Sequence, residues 1–316
     1  FETTVFDGQE FTEVWASALV ELFTEDVQVF HSINETFDYI FTLAEEDNIM
    51  ISYHNLKFDG AFILDYFLRT LKMKQATIKT GHDVYDFTWI EDKYMANDTF
   101  KYSISDMGQW YNIIIKKNNH FIEIRDSLKL LPFSVKQIGK SFETKHKKLD
   151  MEYKGFRYAG CTITEEELEY IKNDVLVVKE ALEIMKEEGH TKLTIGSCCL
   201  SEYKRLIGHR AYTEYFPNIY EIPLDKNIYG HSNAGEYVKQ AYRGGWCYLV
   251  KGKENRVYHN GTTADVNSLY PSMMSSESNN CYPVGLPTFW HGNYIPDEAL
   301  SPYNFYFVRI KTRFYI

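Results

Sequence analysis

Thr164 and Glu167 head a run, residues 164–188, in which Leu168, Ile171, Val175, Val178, Leu182 and Met185 recur at alternating intervals of three and four. A strand cannot produce that spacing. The run is predicted to be a helix with one apolar stripe, started by a capping box in which Thr164 and Glu167 satisfy each other's backbone N–H groups. Asp174 falls beside the stripe, not opposite it. A carboxylate in that position loses part of its hydration, which is costly unless a cation or a donor pairs with it. The fold must therefore bring positive charge or hydrogen-bond donors to one margin of a long helix.

Earlier in the chain, Ile49–Tyr53 reads as a buried strand, His54–Gly60 as a polar turn and Ala61–Leu71 as an apolar helix. Strand, acid-bearing turn and helix make the edge of an α/β site, where ligands sit at the carboxyl ends of strands. Residues 34–46 fit a short amphipathic helix with Asn34 as its cap. Residues 102–126 fit a β-hairpin around Lys116-Lys117-Asn118-Asn119. Residues 136–157 form one basic stretch, which alone means a solvated face.

A chain of 316 residues is long for one core and fits about two domains, with a boundary expected near 190. Its net charge of −10 excludes a simple basic wrapper for nucleic acid, so any contact with a polyanion must be local. The five cysteines show no C-x-x-C spacing, which argues against a disulfide framework or a zinc knuckle. No run nears the roughly 18 apolar residues of a membrane helix, so no membrane partner is expected. The expected location is the cytoplasm, that of a host cell if the chain is phage-encoded. Phe1 and the strand-like run 304–311 at the two ends lack turn or tail chemistry, and the sequence is expected to be part of something larger.

Glu2, Asp59 and Asp174 are distant in sequence, each at the edge of an expected element. Phosphodiester hydrolysis uses such carboxylates to gather two divalent ions about 3.5–4 Å apart, which neutralise the phosphate and supply hydroxide. All-oxygen ligation suits Mg²⁺ or Mn²⁺. Tyr170 lies four residues before Asp174, on the same helix face. Its phenol, with an ordinary pKa of about 10, can orient a water without acting as a strong base. Alternatively, it is a half-buried helix aromatic. Asn55, four before Asp59, either holds a nucleotide or shapes a turn.

These residues form patterns. Asn55-x-x-Phe58-Asp59 and Tyr170-x-x-x-Asp174 resemble the second and third motifs of the 3′–5′ proofreading exonuclease domain of family B DNA polymerases, and Phe1-Glu2-Thr3-Thr4 resembles the first with its leading Asp missing. Asp126-Ser127-Leu128-Lys129-x-Leu131-Pro132-Phe133 and Lys148-x-Asp150-x-x-Tyr153 resemble two motifs of the protein-primed phage subfamily. Tyr242-x-Gly244-Gly245 is similar to its linker motif, and Asp265-x-x-Ser268-Leu269-Tyr270-Pro271 to polymerase motif A.

The resemblance implies a ribonuclease H-like α/β exonuclease domain over 1–190, an incomplete α+β palm over 191–276 and the start of a first insertion over 277–316. In the exonuclease part it implies metal ligation by Glu2, Asp59 and Asp174, water orientation by Tyr170 and a positive charge from Lys148 near the scissile phosphate. Contacts to single-stranded DNA would come from His54, Asn55, Phe58, Phe62, Ser127, Leu128 and Tyr153. In the palm, Asp265, at the end of a strand, and the Val266 carbonyl would bind metal. Ser268, Leu269 and Tyr270 would face a deoxynucleoside triphosphate, with Tyr270 excluding a 2′-hydroxyl. Tyr242, Gly244 and Gly245 would meet template-primer DNA. The implied cofactors are two Mg²⁺ or Mn²⁺ ions per site, and the implied partners include a terminal priming protein. The later polymerase motifs do not occur in this sequence, so DNA synthesis is not expected from these residues alone. The alternatives are a free-standing 3′–5′ exonuclease and a non-catalytic DNA-binding remnant. Motif A and the linker motif speak against the first of these, and the set of acids with Tyr170 against the second.

Overall fold

The computed structural model describes residues 1–3, 8, 10–81, 83, 86–151, 155–242, 244–245, 247–300 and 309. The chain divides into two compact units, Phe1–Ser201 and Glu202–Ile316.

The first unit opens with a small antiparallel sheet of β1 (Glu2–Thr3), β2 (Val14–Val20) and β3 (Val27–Phe30). Helix α1 (Ile33–Leu43) follows, capped by Ser32, whose extended backbone lets its side chain accept the Glu35 N–H. The cap is thus two residues earlier than the expected Asn34, because the helix has already begun at Ile33.

Strand β4 (Ile49–Tyr53) forms where expected, though it alternates in burial and exposes Met50, so it is buried on one face only. Helix α2 (Leu56–Asp65) then starts well before the expected Ala61 and continues through a π-turn, Tyr66–Thr70. Asp59 therefore sits in the first turn of a helix and not in a loop. The expected polar turn shrinks to His54–Asn55, because Asp126 from a distant strand satisfies the backbone N–H groups of Asn55 and Leu56. Next come β5 (Lys74–Gln75), β6 (Thr77–Lys79) and β7 (Phe87–Trp89), followed by β8 (Thr99–Ile104), β9 (Trp110–Lys117) and β10 (His120–Asp126). The expected hairpin is the β9–β10 pair. Its tip is Asn118-Asn119, both at positive φ, the backbone of a tight two-residue turn.

The main sheet has the order β4-β10-β9-β8-β5. Strand β10 runs parallel to β4, with Asp126 beside Tyr53, and antiparallel to β9. Ile113, Ile115, Ile122 and Ile124 alternate along β9 and β10, all fully buried on the same face as Phe37 and Ile40 of α1 and Leu56 and Ile63 of α2.

Helix α3 (Val135–Ser141) precedes α4 (Glu165–Glu187), the long helix read from the sequence, which has its capping box in place. Its buried face is wider than one stripe. Ile171 packs on Trp15 and Ala16 of β2, while Val177, Ala181 and Met185 pack on Leu131 and Ile138. With neighbours on two sides, Leu176 and Val177 are buried and Leu168, Val175, Val178 and Leu182 only half so.

Helix α5 (Ile195–Ile207) contains the division between the units. The second unit carries α6 (His209–Tyr215), α7 (Lys226–Tyr229), α8 (Ala234–Lys239) and α9 (Leu269–Met274). Among its described residues it has one isolated bridge, Pro223 to Asn233, and no strand. The palm strand expected to end at Asp265 is therefore not formed: the run before α9 is irregular, since a strand needs a partner and no described segment here supplies one. The strand-like run 304–311 lies outside the described residues, save Arg309.

Candidate active site

Two elements bring the exonuclease-type residues to one neighbourhood. On α4, Tyr170 and Asp174 lie one turn apart, and Lys148 reaches both from the preceding loop. Lys148 Nζ donates to the Tyr170 hydroxyl at 2.8 Å and to the Asp174 carboxylate, and lies 4.6 Å from the Tyr170 ring centre. This is the cation that the position of Asp174 demanded. At α2, the buried Asp59 accepts a hydrogen bond at 2.9 Å from the Phe1 amino group. The Phe1 ring meets Tyr53 edge-on at 5.2 Å.

The electrostatics tie the two halves together. Burial pushes the Asp174 carboxyl above its ordinary value, against the pull of Lys148, the Phe1 amino group and the Tyr170 hydroxyl. Burial also raises the Tyr170 phenol, with the Asp174 and Glu2 carboxylates adding to the effect and Lys148 opposing it. Burial alone would lower Lys148, but its bonds to Asp174 and Tyr170 reverse that and hold it charged. Glu2, on β1, thus acts electrostatically on the same phenol as Asp174.

The donors suit a hard divalent cation. All are oxygens, and Asp174 Oδ1 is buried with no hydrogen-bond partner, a costly state for a carboxylate that a cation would relieve. The Tyr53 hydroxyl is likewise buried and unpartnered, and burial beside Asp59 holds its phenol well above the ordinary range. Among the described residues, however, no three His, Cys, Asp or Glu side chains gather closely enough to hold a metal ion by themselves. Lys148 supplies positive charge there.

The residues expected to contact DNA differ in their surroundings. Phe58 is 47% exposed, its ring 5.6 Å from that of Phe62. Asn55 is exposed, with a left-handed backbone (φ 72°) and a side chain that does not cap its own helix. His54 is engaged at both ring nitrogens, with Ser127 Oγ at 3.1 Å and the Phe133 carbonyl at 2.7 Å. Burial lowers its pKa, opposed by the bond to Phe133 and by the Asp126 and Asp59 carboxylates. Ser127 is buried and Leu128 half-buried. Tyr153 lies outside the described residues.

In the second unit, Tyr242, Gly244, Gly245, Asp265, Val266, Leu269 and Tyr270 are all exposed. Ser268, also exposed and at φ 52°, precedes α9. Among the described residues Asp265 belongs to no group of three or more His, Cys, Asp or Glu side chains that could hold a metal ion.

Sequence reasoning passed over two residues. Asp126, 3% exposed, accepts at Oδ1 from the N–H groups of Asn55, Leu56 and Leu128 at 3.1–3.2 Å. It caps α2 from outside, which leaves the Asn55 amide unoccupied; the signal was its place beside Ser127-Leu128. Arg157 forms a fork on Glu167 beneath the Tyr170 turn of α4, and its charge lies 5.5 Å from the Trp15 ring centre.

The family described as DNA polymerase type B, organellar and viral, matches residues 40–316. The chain belongs to that family. The DNA polymerase of Bacillus phage B103 is 33% identical over 321 residues, covering 99% of this chain and 49% of the relative. That of Bacillus phage phi29 is 33% identical over 305 residues, covering 94% and 46%. The chain thus spans about half the length of the curated relatives it matches. Among solved structures, phi29 DNA polymerase complexed with primer-template DNA and incoming nucleotides aligns with a TM-score of 0.72 at 32% identity, covering 94% of this chain and 47% of the other. The same enzyme complexed with single-stranded DNA aligns at 0.61, covering 79% and 40%. The mixed α/β fold resembles the matching part of that polymerase. No helix among the described residues is long and apolar enough to cross a membrane.

Proposed function

We propose that residues 1–190, within the first unit, are a ribonuclease H-like 3′–5′ exonuclease domain of a protein-primed DNA polymerase. On this reading the palm begins at 191 and the first insertion at 277. The observation that carries the reading is the Lys148–Tyr170–Asp174 cluster, with its unpartnered carboxylate oxygen. Asp59, Asp174 and Glu2 would hold Mg²⁺ or Mn²⁺. When bound, such ions supply charge neutralisation at the scissile phosphate and an activated water.

The chain's own residues do the rest. Tyr170, kept neutral by burial, orients the attacking water through its hydroxyl. Lys148, kept charged, stands where negative charge grows on the phosphate. The exposed Phe58, backed by the half-buried Phe62, offers a ring face to the bases of a single-stranded end, and the free Asn55 amide offers a donor and an acceptor. Asp265, Val266, Ser268, Leu269 and Tyr270 belong to the nucleotide site of the complete polymerase, and Tyr242, Gly244 and Gly245 to its DNA track. The complete protein would use deoxynucleoside triphosphates, template-primer DNA and a priming protein in the cytoplasm of a host cell.

The experiment is degradation of 5′-labelled single-stranded DNA with Mg²⁺ by the complete polymerase and by its Asp59→Ala and Asp174→Ala variants. Degradation should fall by at least about a hundredfold, as expected when a positioned electrostatic group is lost, while primer extension persists. Loss of both activities together would count against a separate exonuclease site.

A further inference from the structure

The cluster around Asp174 depends on one loop residue, Lys148, arriving at the right height on α4. The loop before it has little structure of its own. Glu143 takes a positive φ of 51°, Thr144 donates to the His146 carbonyl at 2.7 Å and Lys147 Nζ donates back to the Gly139 carbonyl at 3.0 Å. What fastens this loop to the helix is Glu180. Its Oε2 accepts from the Lys145 N–H at 2.6 Å and from the His146 N–H at 3.4 Å, while Oε1 meets His146 Nδ1. The contact is sheltered, with side-chain exposures of 22% for His146 and 16% for Glu180.

Glu180 lies six residues beyond Asp174, about 9 Å along the axis at 1.5 Å per residue. From His146 to Lys148 the backbone spans at most about 7 Å. Only one residue separates the clamped His146 from Lys148, so the clamp fixes the backbone from which the Lys148 side chain reaches the Asp174 cluster. The neighbouring bridge from Lys145 Nζ to Glu25, both more than half exposed, cannot do this, because it ties a flexible side chain and not the backbone.

We propose that Glu180 is the positioning residue for Lys148: its carboxylate clamps the 145–146 backbone to α4 and so delivers the Lys148 ammonium to Tyr170 and Asp174. Its consequence for catalysis rests on the exonuclease reading; the placement of Lys148 does not.

The test separates the two. In the full chain, competitive acylation with acetic anhydride, read by mass spectrometry, reports how freely each lysine amine reacts. Lys148 should be protected relative to the exposed Lys93. In Glu180→Ala its labelling should rise about tenfold, the factor for one good hydrogen bond lost, while Lys93 stays unchanged. Glu180→Gln retains an oxygen for the two backbone N–H groups and should restore most of the protection, and Glu25→Ala should leave Lys148 as it was. In single-strand degradation by the complete polymerase, Glu180→Ala should lower kcat about as much with KM little changed, and Glu180→Gln should recover it. If Glu180→Ala does not fold, Glu180→Asp, which keeps the charge but shortens the reach, should show the same faster labelling. Lys148 labelling equal to the parent in whichever of these variants folds would overturn the proposal. Absence of single-strand degradation by the parent would refute the exonuclease reading separately, with the labelling still deciding the role of Glu180.

Discussion

Replacing Glu167 tests how firmly the site-bearing helix is anchored. The Glu167 and Arg157 side chains are 3% and 13% exposed, so the pair is largely out of water. Glu167 Oε1 takes both Arg157 Nε, at 2.9 Å, and Nη2, while Oε2 takes the Thr164 N–H at 2.9 Å and completes the capping box. Glu167→Ala removes all three bonds and leaves the Arg157 charge sheltered against Trp15. Breaking one side of such a pair costs about 3–5 kcal/mol. Glu167→Gln keeps an oxygen for the Thr164 N–H and should be milder by about 1 kcal/mol, the worth of a helix cap. Urea unfolding followed by Trp15 fluorescence measures both variants.

The pH dependence adds a second check on the same pair. Burial acts to raise the Glu167 pKa, but the bonds from Thr164 and Arg157 outweigh it and hold the carboxyl below its ordinary value. A lowered folded-state pKa stabilises the chain above the unfolded value, and that gain disappears as pH falls through the folded one. The gap between the parent and Glu167→Gln should therefore close in acid. A Glu167→Ala variant within about 0.5 kcal/mol of the parent at neutral pH, the range of an ordinary surface change, would refute the reasoning.

Three further outcomes are expected. Gly60→Ala drives a methyl into Cζ3 of Trp110, so the ring or α2 must shift; thermal unfolding should show a loss of about 1–3 kcal/mol, and single-strand degradation should fall because Asp59 is the adjacent residue. Asp126→Ala removes the acceptor of three backbone N–H groups, and hydrogen exchange at Asn55 and Leu56 should accelerate at least about tenfold; exchange unchanged from the parent would dismiss Asp126 as the cap of α2. In the complete polymerase, Tyr270→Val should weaken discrimination against ribonucleotides, measured as the ratio of kcat/KM values, and an unaltered ratio would remove Tyr270 from that role.

Local chemistry was legible in the sequence, and remote partnership was not. The α4 start at Thr164 and Glu167 and the β9–β10 turn at Asn118-Asn119 formed as read, because each depends on residues within a few positions of one another. The start of α2 could not be read, since its cap is Asp126, some 70 residues away. The strand expected at Asp265 failed for a related reason: a strand is a pairing, and its neighbours are not encoded in the run itself. At the site, the four-residue spacing of Tyr170 and Asp174 and the buried margin of α4 announced a need for positive charge, and Lys148 supplies it. The Arg157–Glu167 pair was missed because Glu167 already had an explanation as a cap.

The parallel pairing of β4 with β10 gives the main sheet one rim that carries the candidate site and one that does not. Asp126 and Tyr53 leave the sheet side by side, so the chain exits toward Asp59 and toward Ser127 share one border, and a single inserted residue there would turn the alternating side chains inside out. At the opposite border, Asn118 and Asn119 close a solvent-facing bend with no such duty. A probe or tether for watching this protein at work belongs at that bend, where it can be carried away from the candidate site at the far rim.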